Sequence, residues 1–228
     1  MKKQSGFTLV EIAIVLVIIG LLLGGVLKGQ ELINSAKVKN FANDFRQIPL
    51  FIYGYQDKYK ALPGDDPKYL EHIGGAATAA GLSAPLAPKT TPGTGLGNGR
   101  FEGNYNSTDV TDETIVFWQQ VRLANLAAGP TTFATAADAP TNADGGRIGV
   151  QSSAPIANMT GSYFVCSEGI QGKFAKQLDI TLDDGKTAGG SVRVATGPYT
   201  GTALPAVAES GTGTIIVDDQ TYIVCMSF

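Results

Sequence analysis

Residues 7–27, FTLVEIAIVLVIIGLLLGGVL, form an apolar run in which only Thr8 and Glu11 are strongly polar. As a helix, these 21 residues would span about 31 Å, the thickness of a bilayer's hydrocarbon core. A segment this apolar must be covered, either by lipid or by protein, and that requirement constrains the chain more than any other feature. The residues before it, MKKQSG, are short, polar and basic. Lys2 and Lys3 favour a cytoplasmic N-terminus and an exported remainder. A removable secretory signal would have a shorter apolar stretch followed by a small-x-small cleavage site. Here KGQELINSAKVKNFANDF follows instead, and it has a helical pattern.

A plain membrane anchor fits this topology but leaves Glu11 unexplained. A carboxylate inside a bilayer is costly, so an intramembrane acid signals function and needs a partner. The run holds no Lys, Arg or His to provide one. A free α-amino group would serve if the chain were cut just before Phe7. Glu11 lies one helical turn beyond that residue, and it could equally meet the amine of a neighbouring copy.

The stretch KKQSGFTLVEIAIVLVIIG resembles the signature of the type IV pilin and type II secretion pseudopilin families. That signature is a short basic leader ending in Gly, then Phe-Thr-Leu-(Val/Ile)-Glu, then an apolar helix. The resemblance covers roughly residues 1–60. It implies that a prepilin peptidase cuts between Gly6 and Phe7 on the cytoplasmic face and N-methylates the new Phe7 amine. It also implies that Glu11 pairs with the Phe7 amine of an adjacent subunit and sets the register of assembly. The partners implied are other copies and related pilins in a helical filament, the peptidase, an inner-membrane assembly platform and the bilayer. The subunit would sit in the bacterial inner membrane before assembly, and in a surface pilus or periplasmic pseudopilus afterwards.

The implied architecture is α+β, a pilin-like roll with a long N-terminal helix packed on a C-terminal antiparallel sheet. The expected divisions are a leader at 1–6, an assembly helix at 7–60 and a globular extracytoplasmic domain at 61–228. Beyond the membrane, Leu32, Ile33, Ala36, Phe41, Phe45, Ile48 and Ile52 recur at helical spacing, so the helix continues with an amphipathic face. Pro49 should kink or interrupt it. Glycines at 20, 24, 25 and 29 lower helix propensity near the bilayer exit. They suit either close helix packing or local melting during assembly.

The remaining chain reads as a mixed domain. Pro63-Gly64 and Asp65-Asp66-Pro67 mark turns. Residues 74–99 are rich in Gly, Ala, Thr and Pro and read as a long loop. TDETIVFWQQVRLANLA at 111–127 reads as a helix capped by Thr111 or Asp112 and stopped by Gly129-Pro130. Ile115, Trp118, Val121 and Leu126 are its expected core contacts. Residues 162–166, 191–194, 213–217 and 221–228 read as strands, the last two forming a hairpin about Asp218-Asp219-Gln220. Phe174, Leu178 and Leu182 favour a short helix over 171–182.

Cys166 and Cys225 are the chain's two cysteines. In an oxidising compartment such a pair reads as one disulfide, closing a loop of about 60 residues. Two buried thiols are the alternative. Some pseudopilins bind calcium, and LDITLDDG offers Asp179, Asp183 and Asp184. It lacks the full spacing of a calcium loop, so a turn ending in Gly185 is the simpler reading. Asn106-Ser107-Thr108 matches a glycosylation sequon, a short and common motif. His72 is the one histidine and reads as a loop residue.

No nucleophile elbow, phosphate loop or Cys-x-x-Cys pair occurs, so no enzyme and no cofactor is indicated. A net charge of −3 with scattered arginines gives no nucleic-acid footprint. Three functions fit the sequence: a pilus subunit, a secretion pseudopilin, or a membrane-anchored binding protein that never polymerises.

Overall fold

The computed structural model describes residues 8–74, 85–89, 95–211 and 214–228. Helix α1 runs Leu9–Tyr59. The chain divides within it into two compact units, Met1–Lys39 and Asn40–Phe228. The loop expected over 74–99 lies largely outside the described residues.

In the first unit the described residues are helical from Leu9 onward. Its large apolar side chains from Leu9 to Leu27 are 46–91% exposed, so the chain's own residues do not cover them. Among the described residues, α1 is the one helix long and apolar enough to cross a membrane. The helix is unbroken at Gly20, Gly24, Gly25 and Gly29. A Cβ added at any of the four would meet nothing within the chain, so intrachain packing does not require these glycines.

In the second unit, α1 buries Phe41, Phe45, Ile48, Ile52 and Tyr55. Their spacing of four and three residues keeps them on one face. The Phe41 ring lies 6.2 Å from Phe174. Tyr55 joins a cluster with Ile73, Leu123 and Ala124. The expected interruption at Pro49 does not occur, and α1 continues through it. Pro49 forfeits one backbone hydrogen bond. Buried residues on both sides, Phe45 and Ile48 before it and Ile52 and Tyr55 after it, hold the helix in place.

The sheet has four antiparallel strands in the order β1-β2-β4-β3. They are β1 Ile148–Gln151, β2 Phe164–Gln171, β3 Val192–Ala195 and β4 Thr221–Ser227. Phe164, Cys166, Ala195, Ile223 and Cys225 share one core with Tyr105, Ile156, Met159 and Tyr199. The alternate residues Val165, Val194, Tyr222 and Val224 point to the other face and are also buried. Helix α2, Glu113–Leu123, packs against β1, and α3, Gly172–Leu182, packs against β2, β3 and β4. A long N-terminal helix with a four-stranded antiparallel sheet is a pilin-like α+β fold.

Several local readings change. Of the expected strand at 213–217, the described residues 214–217 form no strand and no hairpin with β4, because β2 and β3 already occupy both edges of β4. The described part of that segment makes a single bridge, Ile215 to Ala208. Helix α2 is shorter than 111–127. Asn125 adopts φ 60° and turns the chain out four residues before Gly129. Asp112 occupies the cap position without a side-chain capping bond. Its carboxylate accepts from Ser107 Oγ instead. Strand β1 was not legible in advance. It is short, and Gly149 sits where the Tyr105 backbone passes too close to admit a Cβ.

Candidate functional site

Thr8 stands immediately before the first residue of α1. Its backbone N–H and its hydroxyl both donate to Glu11 Oε2, each at 2.8 Å. The Glu11 N–H in turn donates to Thr8 Oγ1 at 3.3 Å. This is a reciprocal capping box, which satisfies donors that a helix start leaves open. The carboxylate also sits at the positive end of the helix. Thr-x-x-Glu is the sequence-level signature of this arrangement. Gly6 and Phe7 lie outside the described residues.

Against this geometry, residues 1–27 match the family model described as the prokaryotic N-terminal methylation motif. The chain carries a prepilin-type motif. It is the motif of type IV pilins and pseudopilins, which are structural proteins. No curated protein and no solved structure matches the chain. The prepilin-type motif therefore identifies the N-terminal segment, while the larger unit must be read from its own residues.

Beyond the prepilin-type motif, Cys166 and Cys225 are direct partners in the β2–β4 register, with sulfurs 2.15 Å apart. Both are buried inside the core cluster with Tyr105 and Tyr199.

The acids considered for calcium are used differently from one another. The Asp183 carboxylate accepts from the Ser191 and Val192 N–H groups at 2.6 and 3.0 Å. Asp184 accepts from the Lys186 N–H at 3.0 Å, a local turn. Asp179 is buried, and neither carboxylate oxygen has a hydrogen bond of good geometry, although the nearby Gly185 N–H pulls its carboxyl down. Burial, together with Asp183, Asp184 and Glu209, pushes its carboxyl up to about 7. Among the described residues no group of three His, Cys, Asp or Glu side chains is placed to hold a metal ion.

The turn after α1 holds a polar cluster that the sequence presented only as an acidic pair. Gly64 adopts φ +92°, with the Glu113 carbonyl where a Cβ would be. That close approach tucks the chain under α2 and buries both Asp65 and Asp66. Asp65 accepts from the N–H groups of Gly97, Asn98 and Gly99. Burial holds its carboxyl above the usual range, although these amides pull it down. Asp66 accepts from Tyr55 Oη at 2.8 Å and lies 2.7 Å from His72 Nδ1. His72 sits in a π-helical turn, Leu70–Gly74, with its ring stacked on Tyr59 at 5.0 Å. It is thus a lock on the end of α1 and not a free loop residue. Glu113 is pushed up to about 8, first by burial and then by the nearby Asp65, Glu102 and Asp112.

Asn106, the residue a sequon would modify, has its side-chain amide engaged. It donates to Glu168 Oε1 at 2.9 Å and to the Tyr199 carbonyl at 3.1 Å.

Proposed function

We propose that this chain is a structural subunit of a type IV pilus-like filament, assembled through its apolar N-terminal helix. Prepilin peptidase cuts between Gly6 and Phe7 and N-methylates Phe7. The mature subunit waits in the bacterial inner membrane with its larger unit outside. Assembly then exchanges lipid around α1 for the helices of other copies. Both surroundings are apolar, so the exchange need not be costly. Glu11 adds specificity, because a subunit docked in the wrong register leaves a buried carboxylate without its amine. The motor that drives assembly is supplied by other proteins.

One observation carries this reading: the prepilin-type motif over residues 1–27 runs into a helix that begins at Leu9, and the chain itself leaves the apolar side chains of that helix from Leu9 to Leu27 uncovered. The paired cysteines fit an oxidising exterior.

The experiment is to shear filaments from the native host and analyse them by mass spectrometry. A chain beginning with N-methylated Phe7 in the sheared fraction supports the proposal. A processed chain confined to the cell envelope points to a secretion pseudopilus. A working form still beginning at Met1 rejects both.

A further inference from the structure

Asn98-Gly99 is the chain's one Asn-Gly pair, and Asn98 is exposed. Such a pair is chemically labile. Glycine has no Cβ, so its backbone nitrogen can close onto the carboxamide of the preceding asparagine. In that reaction the Gly99 nitrogen bonds to Asn98 Cγ, the Cγ–Nδ2 bond breaks, and ammonia leaves with the Gly99 proton. Water then opens the cyclic imide to aspartate or isoaspartate.

Closure needs a Gly99 nitrogen that can leave its hydrogen bond and a carboxamide that can turn toward it. The fold restrains both. The Gly99 N–H donates to Asp65 Oδ2 at 2.7 Å. The neighbouring Gly97 and Asn98 N–H groups donate to Asp65 Oδ1. Asp65 is 1% exposed, so this grip is anchored in the core and not at the surface. The carboxamide is tied at both ends. Its Oδ1 accepts from the Arg100 N–H at 2.9 Å, and its Nδ2 donates to Glu102 Oε1 at 3.1 Å.

We propose that Asn98 is a latent deamidation site, held unreactive by Asp65 and Glu102 and modified when that clasp opens. The change is one-way. A carboxylate at position 98 gives up the Nδ2 donor and sets like charge against Glu102. Isoaspartate also lengthens the main chain by a methylene between Cα of residue 98 and the next amide. The N–H groups of residues 97, 98 and 99 then no longer converge on Asp65. A buried carboxylate that loses donors destabilises the fold around it. This inference stands on the second unit alone and does not depend on filament assembly.

The test incubates the full chain in detergent at mildly alkaline pH, beside a synthetic peptide of residues 90–100. Trypsin cuts after Lys89 and Arg100, so the same peptide is released from the protein. Mass spectrometry reads its conversion from amide to acid. The folded chain should convert at least about tenfold more slowly than the peptide, because reaction waits on local opening. E102A changes a partly exposed position, so it should keep the fold, and it should convert about threefold faster than the parent. D65N takes the charge out of the clasp and should convert about tenfold faster. Circular dichroism checks that each variant is folded, and E102A decides alone if D65N is not. The proposal is overturned if the folded parent converts as fast as the peptide, or if E102A converts no faster than the parent. It is also overturned if folded D65N converts more slowly than the parent, which would make Asp65 a base for the closure.

Discussion

Thr8 and Glu11 hold each other at the first turn of α1, through two donors to Glu11 Oε2 and one return bond to Thr8 Oγ1. The carboxylate proposed to receive a neighbour's amine is thus already oriented at the helix start. Removing it should leave the anchor intact, because α1 remains apolar over a full bilayer thickness. Glu11→Leu should therefore fractionate with membranes at the parental level yet be absent from sheared filaments. Membrane fractionation and immunoblotting of the sheared fraction check both halves. Normal incorporation of Glu11→Leu into filaments would remove the register role assigned to this residue.

The second prediction concerns the Cys166–Cys225 pair, which staples the two central strands of the sheet inside a buried cluster. Such a bridge stabilises mainly by restricting the unfolded chain. Replacing both cysteines with serine should cost roughly 2–5 kcal/mol. The double variant should melt well below the parent in thermal unfolding followed by circular dichroism. A parent chain that melts identically with and without reductant would contradict a stabilising disulfide.

How far the sequence foretold this structure depended on how local each signal was. The apolar run and its acid were legible because helical length and missing counter-charge are properties of one contiguous segment. The stripe from Phe41 to Ile52 was legible by spacing, as were Phe174 and Leu178. Pro49 misled because a helix-breaking residue was weighed without the burial of Ile48 and Ile52 around it. Residues 213–217 misled because β-branched composition does not say whether a strand edge is free. Asp65 and Asp66 read only as a turn, since their partners at Gly97, Asn98, Gly99 and His72 are distant or unremarkable in sequence. Thr8 was the exception, a local signal that went unread.

A third prediction follows from Asp179, whose buried carboxylate has no hydrogen bond of good geometry and is pushed from 3.8 to about 7 against the weak pull of the Gly185 N–H. The folded state holds this proton more tightly than the unfolded state. The destabilisation is therefore absent below about pH 4, grows as pH rises toward 7, and levels off above that. Asp179→Asn removes the charge at nearly constant shape. It should match the parent near pH 4 and be more stable at pH 8 by about 2 kcal/mol, allowing for relaxation around the ion. Urea unfolding at the two pH values checks this. A variant destabilised at pH 8 would mean that the ionised carboxylate has a partner.

The last prediction concerns the lock at the end of α1. Asp66 and Tyr55 are both fully buried, and the Tyr55 hydroxyl donates to Asp66 at 2.8 Å. Tyr55→Phe keeps the ring and its contacts with Ile73 and Leu123 but leaves the carboxylate short of one donor. An unsatisfied buried acceptor costs about 1–3 kcal/mol, and more where it carries charge. His72→Ala removes a second neighbour of the same carboxylate from a partly exposed position. The two substitutions share one acceptor, so their effects should not add. A double-mutant cycle by urea unfolding should show a coupling of about 0.5–3 kcal/mol between Tyr55 and His72. Strict additivity would show that Asp66 does not join the two, and that α1 is held at this end by packing alone.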